Sequence, residues 1–94
     1  MRIPPKIRIT NKISYEILWV KEFHDCPDTL GECRPTERQI VLKVDQSPEE
    51  LCQTFIHEIL HALCLENRKL KLKHKDIYAL EAPLFKFLRL NKFI

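Results

Sequence analysis

The sequence predicts an α+β fold: a small antiparallel or mixed sheet of three or four strands packed on two helices. Three observations lead there. Apolar residues recur at period two through the first half of the chain, the period turns helical after Ser47, and strands precede helices without interleaving. The 94 residues suffice for one core with little surplus, and no linker or internal repeat divides them, so one domain over 1–94 is expected.

Ile7 and Ile9 alternate with Lys6, Arg8 and Thr10, and Thr10-Asn11-Lys12 can turn the chain. Ile13, Tyr15, Ile17 and Trp19 then alternate with polar residues such as Ser14 and Glu16, which completes a hairpin with one apolar face. Residues 24–37 carry the Asp and Pro of a long connection. Within it, Leu30-Gly31-Glu32-Cys33-Arg34 fits a short edge strand. It turns at Pro35-Thr36-Glu37 into a stronger strand, where Ile40, Leu42 and Val44 share a face against Val41 and Lys43.

Ser47-Pro48-Glu49-Glu50 then opens a helix. It offers a serine N-cap, a proline at the first helical position and a glutamate three residues after the cap. Leu51, Phe55, Ile56, Ile59, Leu60 and Leu63 form a broad apolar face through about Glu66. A second helix starts near His74, with Ile77, Leu80, Leu84 and Leu88 in one stripe and Phe85 and Phe87 flanking it. Pro83 removes the bond to the Ala79 carbonyl, so a kink or a break is expected near it.

The first helix carries His57-Glu58-Ile59-Leu60-His61, an H-E-x-x-H run. Histidines four apart stack on one helix face, so both imidazoles can reach one ion, while the adjacent glutamate can meet a water on that ion. Packing alone does not ask for this trio. Catalytic zinc usually takes three protein ligands and an open position, so a third ligand must come from elsewhere. His74, at the start of the second helix, is the first choice and Glu81 the runner-up. They stand about 10 Å apart along that helix, too far to share one ion from a straight helix. Glu66, His24 and the cysteines are the remaining choices.

Zinc brings the pKa of a bound water towards ~7, and Glu58 would accept the proton and pass it to a leaving amine. The tetrahedral oxyanion needs a further electrophile. Tyr78, one turn after His74, could supply an O–H, although a packed core tyrosine is the plainer reading. An extended peptide could add to the edge around Leu30–Arg34 by main-chain bonds.

A net charge of +3 is too small to prove a polyanion partner. Arg68, Lys69, Lys71, Lys73 and Lys75 nevertheless crowd one stretch. A solvated loop and helix start is the bland explanation, and a nucleic acid or an acidic partner the sharper one. Cys52 and Cys64 stand about 18 Å apart along one helix and cannot bridge. Cys26 and Cys33 flank a turn-rich loop, which leaves a disulfide or a second metal site open there, with reduced thiols the default. No apolar run reaches membrane-spanning length and no secretory signal is seen at the start, so a soluble, cytoplasmic protein without a membrane partner is expected.

From about Leu30 to Asn91 the chain resembles the zincin-type metallopeptidases, and more narrowly the SprT-like and small phage-encoded peptidases. The pieces are Leu30-Gly31-Glu32-Cys33-Arg34, Arg38-Gln39-Ile40-Val41-Leu42 and Gln53-Thr54-Phe55-Ile56-His57-Glu58-Ile59-Leu60-His61-Ala62-Leu63, followed by His74. The resemblance implies a minimal zincin-like fold in which His57, His61 and His74 hold Zn2+ and Glu58 is the catalytic base of peptide hydrolysis. The SprT-like pattern usually has glycine after its third histidine, where this chain has Lys75. Two other functions compete: a non-catalytic module stapled by zinc, and a small basic nucleic-acid-binding protein.

Overall fold

The computed structural model of the chain describes residues 2–67 and 69–93. Its elements are β1 (Lys6–Arg8), β2 (Ser14–Val20), β3 (Gly31–Arg34), β4 (Gln39–Lys43), α1 (Pro48–Glu66) and α2 (His74–Leu90). The strands make one mixed sheet in the order β1-β2-β4-β3. The expected hairpin pairs β1 with β2 antiparallel, Ile7 opposite Tyr15. β3 and β4 form a second antiparallel pair, closed by a turn in which the Arg38 N–H donates to the Pro35 carbonyl. Arg38 ends that turn at φ 55°. The two hairpins join through β2 and β4, which run parallel with Ile17 beside Ile40 and Trp19 beside Leu42. β3 is therefore an edge strand, as its sequence suggests.

One face of β2 and β4 is the core. Tyr15, Ile17, Ile40 and Leu42 pack there with Phe55 and Ala62 of α1, and Leu51 and Ile59 close the periphery. A fully buried side chain of this kind contributes about 1.5–3 kcal/mol, so Leu42→Ala, which opens a cavity as well, costs about 2–5 kcal/mol. Val41 points the other way and is buried too, beside its register partner Leu18. The apolar face runs out at the strand ends, where Trp19 and Val44 are exposed.

α1 begins as its sequence dictates. The Ser47 side chain accepts from the Glu50 N–H, the Glu50 carboxylate accepts from the Ser47 N–H, and Pro48 occupies the first turn. α1 packs on β3 and β4 of the sheet and on α2. α2 packs on α1 and approaches no strand among the described residues. The Asp76 carboxylate accepts from the Lys73 N–H at its start. The helix runs through Pro83 unbroken. Ala79 and Pro83 are both exposed, so water can satisfy the carbonyl that proline leaves without a donor. Cys26 and Cys33 are thiols with no disulfide between them, so none closes the 26–33 loop. No helix among the described residues is long and apolar enough to cross a membrane.

Candidate metal centre

One turn of α1 stacks His57 on His61 with their Nε2 atoms 3.1 Å apart. The connection after α1 is short, so α2 returns across it and delivers its first residue, His74, to the same place. One nitrogen from each of His57, His61 and His74 lies within 4.8 Å of the other two. The ring centroids stand 4.7 Å (His57–His61), 4.8 Å (His61–His74) and 5.4 Å (His57–His74) apart. Two nitrogens on a tetrahedral zinc are ~3.3 Å apart, given Zn–N bonds of about 2.0–2.1 Å. The His57–His61 pair already has that spacing, and His74 stands on the same side.

Glu81, the runner-up for the third ligand, also reaches the cluster. Its carboxylate accepts a 2.6 Å hydrogen bond from Nδ1 of His57. A carboxylate can only accept, so Nδ1 carries the proton and the Nε2 lone pair turns to His61. This is the carboxylate–histidine arrangement that orients imidazole ligands and raises their basicity. Glu66 is committed elsewhere, accepting from the Tyr15 hydroxyl at 2.7 Å. Cys64 and His24 lie outside the cluster.

Glu58 lies against Gly31 of β3 and is only 6% exposed. It makes no hydrogen bond among the described residues. Burial, reinforced by the nearby Glu32 and Glu81 carboxylates and opposed by His57, lifts its carboxyl to about 7. Burial and the neighbouring His57 and His74 push His61 down, which favours the neutral imidazole that a metal requires.

These groups line a cleft of about 600 Å³ together with Leu30, Gly31 and Cys33 of the edge strand and its approach. Tyr78 lines it as well. Its ring lies 4.7 Å from His74 and 4.9 Å from His57, and at 61% exposed it is not the packed core tyrosine that the sequence favoured. Of the Arg68–Lys75 stretch, Arg68 lies outside the described residues, and Lys69, Lys71, Lys73 and Lys75 are exposed.

Two contributors were missed in the sequence. A Cβ on Gly31 would lie 2.6 Å from Thr54 Cγ2 and 3.2 Å from Glu58 Oε2, so glycine is what lets β3 pass this close to α1. It is the one glycine in the chain, a signal that was available. Gln46 locks the same corner: its amide donates to the Leu30 and Lys43 carbonyls and accepts from the Thr54 hydroxyl. No protein-family model, curated protein or solved structure matches the chain.

Proposed function

We propose that this protein is a zinc-dependent peptidase in which His57, His61 and His74 hold the metal and Glu58 is the general base. One observation carries the reading: three imidazoles converge in an open cleft that the carboxylate of Glu58, an otherwise buried residue, also lines without a hydrogen-bond partner among the described residues. Two ring nitrogens 3.1 Å apart must share either a proton or a cation. A zinc that only stapled the fold would have no use for the carboxylate.

Zinc bound there supplies a Lewis acid and an activated water. Glu58, poised near neutral pH, takes the proton from the attacking water and returns it to the leaving amine. Glu81 fixes the His57 ring. Tyr78 offers its hydroxyl to the developing oxyanion. The free side of β3 receives an extended peptide through main-chain bonds, which gives affinity with little dependence on side-chain sequence.

The test is hydrolysis of a quenched-fluorescent peptide mixture by the zinc-loaded protein, with metal content measured alongside. Chelation should abolish cleavage and zinc restore it. Glu58→Gln should keep its zinc and lose at least about 100-fold in rate. Undiminished cleavage by that variant, or no cleavage of any peptide or unfolded protein by a fully zinc-loaded wild type, overturns the reading.

A further inference from the structure

α2 is held from one side only. Ile77 is its one buried residue, and among the described residues α1 is the only element it packs on. Leu80, Phe87 and Leu90 fall within about 80° of arc, on the side of the helix away from His74 and Glu81. They point outward: Phe87 is 55% and Leu90 72% exposed. Phe93 extends the patch, its ring 6.5 Å from that of Phe87. Leu70 and Leu72, between Lys69, Lys71 and Lys73 on the approach to the helix, are exposed as well. Single exposed leucines need no explanation, but a stripe along one helix does.

The charges around the stripe are mainly of one sign. Lys75 and Lys86 line the flank away from α1, about 20° apart on the helix wheel, and both are exposed. The segment 69–93 has only two acidic residues: Glu81 is turned inward to His57, while Asp76 lies on the stripe's side of the first turn and accepts from the Lys73 N–H. Arg89 is spent on Glu49. The outward face is therefore apolar, with Asp76 at its N-terminal end and a surplus of lysines at its margin.

We propose that this face docks an acidic amphipathic segment of a partner protein. Its apolar side would lie on Leu80, Phe87 and Leu90 and its carboxylates on Lys75, Lys86 and the 69–73 lysines. A second copy of this chain laid face to face brings the same lysines against themselves, which opposes pairing. A nucleic acid uses the lysines but leaves the stripe exposed. The inference does not depend on the zinc chemistry. If both hold, docking brings protein substrates to a cleft that has little room for side-chain selection.

The probe is a fluorescein-labelled helical peptide of about 18 residues with Leu and Phe on one face and Glu on its flanks, set against a scrambled peptide of the same composition. Anisotropy should show the helical peptide binding at least about tenfold tighter than the scrambled one, and weakening with salt. Phe87→Ser with Leu90→Ser should cost about tenfold or more, with circular dichroism unchanged because both side chains are already exposed. Lys75→Glu with Lys86→Glu should shift preference to a peptide carrying Lys in place of Glu. Equal binding of the scrambled peptide, or no effect of either double variant, overturns the proposal. Tighter binding to phosphatidylserine vesicles or duplex DNA, lost in the same variants, also overturns it. So does a wild-type dimer that Phe87→Ser with Leu90→Ser dissociates, since that assigns the face to a second copy.

Discussion

Glu58→Gln should make the metal-stripped protein more stable at alkaline pH while removing its activity. The Glu58 carboxyl is lifted from 4.5 to about 7 in the folded chain, chiefly by burial. A raised acid costs nothing below its unfolded pKa, where both states are protonated. The penalty grows as pH rises from about 4.5 and is complete above about 7. At 1.36 kcal/mol per pH unit the full penalty is about 3 kcal/mol, an upper figure because water in the cleft screens part of it. Glutamine has nearly the same shape and no charge, so it removes the penalty without opening a cavity. Urea denaturation with chelator should give the variant a lead of up to about 3 kcal/mol at pH 8.5, shrinking to less than about 0.5 kcal/mol at pH 4.5. Saturating zinc should narrow the lead at pH 8.5, since a nearby cation favours the ionised carboxylate. Equal stability of the two proteins at pH 8.5 without metal would refute the argument that burial strains this group.

Three further outcomes are expected. Metal analysis should find zinc lost in His74→Ala but retained in Glu81→Ala with about 10–100-fold weaker affinity, as the proposed roles of His74 as a ligand and Glu81 as the partner of His57 require; the reverse order would exchange their roles. Gly31→Ala forces a methyl against Thr54 and Glu58, so thermal or urea melts should show a loss of about 1–3 kcal/mol, with reduced hydrolysis. The Cys33 thiol, pushed up to about 12 by burial and by the Glu58, Glu66 and Glu32 carboxylates, should resist iodoacetamide at pH 8 while exposed Cys26 is alkylated, as peptide mass mapping will read.

What could be read in the sequence was what is local. Ser47, Pro48 and Glu50 satisfy their own helix end within one turn, so the start of α1 was legible residue by residue. The β1–β2 hairpin was legible for the same reason, as was the pairing of His57 with His61 by helical spacing. The parallel join of β2 to β4 was not, because it links strands separated by a long connection and leaves no periodic trace. Trp19 and Val44 continue an alternation whose cover ends before them, which period alone does not reveal. The role of Glu81 depends on how α2 crosses α1. On a straight helix it is expected to lie too far from His74 to share an ion, yet the crossing brings its carboxylate to the outer nitrogen of His57. Pro83 marked a break that the exposed backbone at Ala79 makes unnecessary.

Among the described elements α2 packs only along α1, and the histidine cluster straddles that seam, with His57 and His61 on one side and His74 on the other. An ion bridging them therefore acts as a clasp for the whole C-terminal limb. Its removal loosens residues 74–90 together with Tyr78 and Glu81, while the sheet and α1 keep their own packing. Hydrogen exchange with and without zinc would then change along that limb and hardly at all in β2 and β4. The same motion carries the lysine-bordered outer surface, so whatever grips that surface and whatever fills the cluster each tighten the hold of the other.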